Sequence, residues 1–431
     1  MTRFDSSGPL RGSLRPPSDK SISHRAALIA AMGERETPIR GYLDAADTRS
    51  TLRAVEALGA RVGGADPARI AGELRIRGVG LRGVRPATID VGNAGTLLRL
   101  LPGWLAGQEG GRWTLDGDES IRRRPVDRIA IPLRRMGANL SAREERLPPL
   151  EVHGTTLHAT TYEMPVASAQ VKSCLLFAGL LAGGETRVIE PLPSRDHTER
   201  MLAAAGAPVE RVDNAVVVRP VERLEPELIA VPADISSAAF FAVAASLVPG
   251  SDLRLEGVGV NPSRTGLLTI LERMGATLEE GPVTGEHGGE PTANIEVRSA
   301  SLQATEVGGA EIPLAIDELP LVALAACFAE GTTTIRDADE LRRKESDRIE
   351  TVTAALRALG GKVEPTADGM EIEGTGGLRG GTIESHGDHR IAMLGAVAGL
   401  ASEEGVEVRG MDAAAVSYPG FERDLASLIG R

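Results

Sequence analysis

Apolar and polar positions along this chain fall into two alternating helical patterns. The first is amphipathic: Ile349, Val352, Leu356 and Leu359 follow helical spacing and run into Gly360 and a strand-like start at Val363. The same cadence of helix, glycine and Val- or Leu-bearing strand reads AVEALGARV (54–62), PLRRMGANL (132–140), MLAAAGAPV (201–209), ILERMGATL (270–278) and ALRALGGKV (355–363). A truncated copy, LASLIGR, closes the sequence. Gly59, Gly137, Gly206, Gly275, Gly360 and Gly430 are the left-handed C-caps expected of such helices.

The second pattern is Ala- and Leu-rich and apolar nearly all round, which predicts buried helices. It occupies residues 21–32, 94–106, 168–182, 235–248, 318–329 and 389–401, and most copies lead through a glycine turn into a short β-type strand such as GGETRVIE or EGTTTIRD. The two patterns alternate in six units of about 70 residues, each too small to be a domain. A chain of 431 residues exceeds one ordinary core. The expected architecture is therefore α/β (α+β), two domains of three units each, with a boundary near Ala230–Pro232. Aromatics are only 3% of the residues, so Ala, Leu, Val and Ile must fill the cores.

Charge narrows the function. The net charge of −12 argues against a nucleic-acid surface, so positive charge for any anionic ligand must be local. Only four of 48 basic residues are lysines: Lys20, Lys172, Lys344 and Lys362. Three of them lie in polar motifs, where a compact ammonium is not interchangeable with a guanidinium. Cys174 and Cys327 sit in apolar helical patterns, which argues against a disulfide. The N-terminus has no apolar run, and no apolar stretch is long enough for a bilayer, so a soluble, cytoplasmic protein is expected. Histidine and cysteine spacings match no metal site, and none is expected.

Polar clusters mark the starts of the helices. They are Asp19-Lys20-Ser21-Ile22-Ser23-His24-Arg25, Gly92-Asn93-Ala94-Gly95-Thr96, Gly117 to Pro125 with Arg122, Arg123 and Arg124, Ser168-Ala169-Gln170-Val171-Lys172, Ser194 to Glu199, Arg342 to Arg348, and Gly387-Asp388-His389-Arg390. Free N–H groups at a helix N-terminus favour an anion, and small residues let a ligand approach the backbone. Pro125 suits the first turn of the helix that follows. Of the three adjacent arginines, at least one is expected to be a solvated surface charge. Lys344 and Arg348, read as i and i+4 on one helix, put two cations on a face where the helix dipole opposes them, a cost that a bound anion would explain. A Walker loop, a dinucleotide fingerprint and a nucleophile elbow are all missing.

Taken in order, DKSISHR, GNAGT with Arg99, GDESIRRRP, VASAQVKS, SRDHTE, IDELP, RRKESDR and GDHRIAM resemble the EPSP synthase (3-phosphoshikimate 1-carboxyvinyltransferase) family over residues 19–393. The resemblance implies two lobes, each of three βαβαββ units in an inside-out α/β barrel. One lobe would span 19–229 and the other 1–18 plus 230–431, with the active site in the cleft between them. It implies that shikimate 3-phosphate is bound by Lys20, Ser21, Arg25, Ser168, Ala169 (through its backbone), Gln170, Arg195, Asp317 and Lys344. Phosphoenolpyruvate would meet Lys20, Gly95, Arg124, Gln170, Arg348 and Arg390. Asp317 and Glu345, with Lys20, are the implied catalytic groups, Asp317 as base and Glu345 as proton donor. Lys344 and Arg348 are expected to depress the Glu345 carboxyl. The implied partners are these two small molecules, with no cofactor, no nucleic acid and no membrane, in a monomer that closes on its ligands.

Two details depart from or refine that pattern. Val416 stands where the family often has a lysine, and Gly95 leaves room for the inhibitor glyphosate. Two other readings are UDP-N-acetylglucosamine enolpyruvyl transferase, which shares the fold but usually presents a reactive loop cysteine, and a silent anion binder on the same repeat. The two carboxylates among the cations argue against the second, since a pure anion binder gains nothing from them.

Overall fold

A computed structural model describes residues 1–63, 73–284 and 288–429. Gly430 of the sixth copy lies outside the described residues. Two compact units emerge, one built from Ser18–Pro232 and the other mainly from Met1–Pro17, Ala233–Thr284 and the chain beyond Pro291.

The buried helices are Lys20–Met32, Gly95–Ala106 and Ala169–Gly179 in the first unit, and Ile235–Leu247, Leu319–Phe328 and His389–Ala401 in the second. Each is apolar on nearly every side, so it is stable only when surrounded. In each unit the three pack against one another, and each unit has its own continuous apolar core. Glycine sets the closest approach: a Cβ on Gly103 would collide with the carbonyl oxygen of Cys174 on the neighbouring helix. The few aromatics gather in the second unit, where Phe240, Phe241, Tyr418 and Phe421 stack with ring centroids 5.5 to 5.9 Å apart.

The amphipathic helices are Ala46–Ala57, Asp127–Arg135, His197–Ala204, Gly266–Arg273, Arg348–Ala358 and Phe421–Leu428. The terminal glycines of the first five take positive φ, for example 108° at Gly59 and 96° at Gly360. The chain reverses there into the next strand because only glycine enters this region without steric cost.

Among the described residues the strands form six sheets, five of four strands with one recurring topology and a sixth of three strands. Ala87–Asp90 pairs parallel with Arg112–Asp116 across a buried helix; Leu147–His153 then adds antiparallel, and Asn139–Arg143 antiparallel again. That is a βαβαββ unit. The alternation of buried and exposed residues in Leu147–His153 gives each sheet one wet face, so the helices are inside and the sheets outside.

Three sheets are completed by remote strands. Ile229–Ala230 pairs with Ile39–Arg40, whereas Arg11–Leu14 pairs with Asp252–Leu255 and Thr2–Phe4 with Val406–Val408. The N-terminal strands thus belong to the unit that carries the C-terminal half of the chain. Among the described residues no helix is long and apolar enough to cross a membrane.

Candidate active site

In the unit starting at Ser18, side chains tie the N-termini of the buried helices together. Asp19 caps its helix by accepting from the Ile22 N–H at 2.8 Å. Arg25, one turn in, is buried and held by three hydrogen bonds. Its Nε donates to Thr198 Oγ1 at 2.7 Å, Nη1 to the Ser21 carbonyl at 2.9 Å, and Nη2 to Ser173 Oγ at 3.0 Å. Burial pulls its guanidinium down to about 10. Lys20, at the first helical position, is only partly covered and pairs with Asp47 at 3.1 Å.

Arg99 and Gln170 link the next two helices. Arg99 Nη1 donates to Gln170 Oε1 at 2.6 Å, and the Gln170 amide reaches Thr96 at 3.3 Å. Ser168 spends its hydroxyl on capping, accepting from the Val171 N–H. Ala169 is half-buried at the first helical position, and Arg195 lies half-buried two residues before the helix at His197.

The three adjacent arginines part company. Arg122 pairs with Asp116 at 2.7 Å and Arg123 with Glu119 at 3.3 Å, both exposed. Arg124 turns inward over Gly95, with Nη1 only 2.7 Å from where a Cβ there would stand. Pro125 is not in the first turn that follows, because that helix begins at Asp127 behind an N-cap at Val126.

The other unit holds the carboxylates. Asp317 accepts ion pairs from Lys344 at 3.4 Å and from Arg348 Nη1 at 3.5 Å. Arg348 is buried, its Nε donating to Asp388 at 2.9 Å and its Nη2 to Glu345 at 2.6 Å. The expectation of Lys344 and Arg348 on one helical face is corrected here. The helix starts at Arg348 with Asp347 as its cap, and Lys344 lies before it with extended backbone. The two cations converge on Asp317 from outside a shared helix, and Lys344 has a further partner in Glu340 at 2.9 Å.

Partial burial raises the Glu345 carboxyl, but Arg348, a backbone hydrogen bond and His389 together hold it below the ordinary range. Arg348 acts as expected, whereas Lys344 is occupied elsewhere. His389, at the start of its helix, is pushed down to about 4 by burial and by Arg390 beside it.

Arg390 donates to the Asp317 carbonyl at 2.8 Å and to Glu318 at 3.3 Å. Glu318 also accepts from the Ser236 hydroxyl, which in turn accepts from Arg264 at 2.5 Å. A single buried carboxylate thus joins the N-termini of all three buried helices of this unit. Glu318, Ser236 and Arg264 were given no role by sequence reasoning, whereas Asp388, marked in the Gly387 to Arg390 cluster, caps the helix at His389. Val416 is exposed on a short 3₁₀ turn, Met411–Val416. Both cysteines are buried within helices, and burial drives the Cys327 thiol up to about 12, unlike a reactive loop cysteine.

An α/β repeat protein whose helix N-termini gather arginine, lysine and two carboxylates is built to handle small anions. The EPSP synthase (3-phosphoshikimate 1-carboxyvinyltransferase) family model matches residues 4–425, and the chain belongs to that family. It is 48% identical to 3-phosphoshikimate 1-carboxyvinyltransferase from Synechococcus sp. (strain RCC307), over 98% of this chain and 97% of the relative. The corresponding protein of Gloeobacter violaceus is 50% identical over 97% of this chain and 96% of its own. A solved EPSP synthase from Acinetobacter baumannii superposes with a TM-score of 0.92 at 41% identity, covering 99% and 97% of the two chains.

Proposed function

We propose that this chain transfers the enolpyruvyl group of phosphoenolpyruvate to the 5-hydroxyl of shikimate 3-phosphate and releases phosphate. The observation that carries the reading is the cluster in which Arg348 spans Asp317 and Glu345 while Lys344 faces Asp317. It combines a base, an acid and fixed cations, the set this chemistry needs.

Shikimate 3-phosphate is assigned Lys20, Ser21, Arg25, Ser168, Ala169, Gln170 and Arg195, with Asp317 and Lys344. Phosphoenolpyruvate is assigned Lys20, Gly95, Arg124 and Gln170, with Arg348 and Arg390. The 5-hydroxyl oxygen bonds to C2 of phosphoenolpyruvate as its proton passes to Asp317, and C3 takes a proton from Glu345. The tetrahedral intermediate then returns a C3 proton to the Glu345 carboxylate as the C2–O bond to phosphate breaks, which regenerates the double bond as a vinyl ether. Lys20 balances charge on the departing phosphate. Arg25 and Arg348 suit fixed roles because their hydrogen bonds pre-orient them, so little reorganisation accompanies the reaction.

The test mixes the chain with shikimate 3-phosphate and phosphoenolpyruvate and follows phosphate together with the mass of the product. Stoichiometric phosphate and an enolpyruvyl ether are expected. Turnover only with a UDP-sugar acceptor, or binding without phosphate release, would overturn the reading.

A further inference from the structure

Lys172 has no role in the mechanism above, yet it is one of four lysines and its side chain is 0% exposed. Its ammonium meets three acceptors: Glu190 Oε2 at 3.0 Å, Glu199 Oε1 at 2.6 Å and the Ser194 carbonyl at 3.2 Å. The contacts with Glu190 and Ser194 are hydrogen bonds and the one with Glu199 is an ion pair, so the ammonium is enclosed by acceptors and shielded from any ligand. Glu190 is equally hidden, and Arg211 shares the same Oε2 at 2.6 Å. It also accepts from the Ser194 N–H at 3.1 Å and from the Ser194 hydroxyl.

These bonds bracket one residue. Before Arg195, Ser194 is fixed by its carbonyl, its amide and its hydroxyl. After it, Glu199 is drawn to Lys172, and Thr198 hydrogen-bonds Arg25 and Ser173. A buried ion cluster is a poor source of stability compared with apolar packing, so its presence calls for another reason. Lysine is the suitable cation, because acceptors approaching from three directions match a compact ammonium rather than a planar fork.

We infer that Lys172, with Glu190 and Glu199, is a positioning residue that fixes the 190–199 segment so that Arg195 is aimed at shikimate 3-phosphate. The inference rests on the proposed function and on Arg195 as a ligand of that substrate. It acts on binding of one substrate rather than on the fold as a whole.

The test is steady-state kinetics of Lys172→Met against the native chain, with thermal midpoints measured alongside. The KM for shikimate 3-phosphate should rise about tenfold, while that for phosphoenolpyruvate stays within about twofold. In an Arg195→Ala background the same substitution should add nothing further, because the residue it aims is gone. Should Lys172→Met fail to fold, Glu199→Gln keeps the bonds to Glu190 and Ser194 and should raise the same KM by roughly threefold. An unchanged KM in both variants, an equal rise for both substrates, or an undiminished effect without Arg195 would overturn the inference. A native chain that makes no enolpyruvyl product would instead sink the functional reading, so the two failures are distinguishable.

Discussion

The guanidinium of Arg124 lies directly over Gly95, so close that a methyl group there would stand 2.7 Å from Nη1. The obstruction is the far end of a flexible side chain, so Gly95→Ala should fold normally while pushing Arg124 aside. The expected result is a KM for phosphoenolpyruvate raised about tenfold with little change in thermal midpoint. An unchanged KM would remove Arg124 from the site. In the native chain, glyphosate should inhibit in competition with phosphoenolpyruvate, and insensitivity at millimolar concentrations would contradict that.

Glu345 tests the acid role. Its carboxyl is held low by Arg348, and protonating it to serve C3 requires bound anions to offset that cation. Glu345→Gln should leave both ligands bound in a calorimetric titration yet lower turnover by at least ~10²-fold. A near-normal turnover number would assign the proton to another group.

His24 should make the native state acid-sensitive. It is fully buried beside Thr51, and burial drives its imidazole from 6.5 down to about 3, with Asp47 and Asp19 opposing weakly and Lys20 and Arg25 reinforcing. Its depressed value means that the unfolded chain takes up a proton below pH 6.5 that the native state refuses until about pH 3. The stability it contributes is therefore present above pH 6.5 and is lost as pH falls through that window, at roughly 1.4 kcal/mol per pH unit. Denaturant titrations of His24→Gln between pH 6 and 4 should show a slope shallower by that amount. Parallel curves for the two proteins would show that His24 takes up its proton equally in the native and unfolded states.

Gly103 sets the spacing of two buried helices. Adding a Cβ would drive it into the Cys174 carbonyl, a backbone atom that cannot rotate away. Gly103→Ala should cost about 1–3 kcal/mol, read as a lowered midpoint in denaturant. A variant as stable as the native chain would mean that the helices slide apart without penalty.

Much of the fold was legible because its signals are local. Gly59 and Gly360 end their helices at positive φ, and the apolar stretches became the buried helices to within a few residues. The cap at Asp19 was legible for the same reason. The site was read less completely. The sequence marked Lys20, Arg25, Asp317, Glu345 and Arg390 through motifs and resemblance, but it contained no sign of Glu318 beneath Arg390 or of Glu190 beneath Lys172.

The sequence alone therefore determined the elements, their order, the six-fold repeat and the placing of charge at helix starts, since each depends on neighbours within a few residues. Tertiary structure decided which charges meet. It moved Lys344 off the helix and onto Asp317, joined Ile229–Ala230 to a strand at Ile39, and turned Arg124 inward while leaving Arg122 and Arg123 outside. Ion pairs and strand partners form between residues far apart in the chain, and packing chooses them by distance and burial that no local pattern encodes.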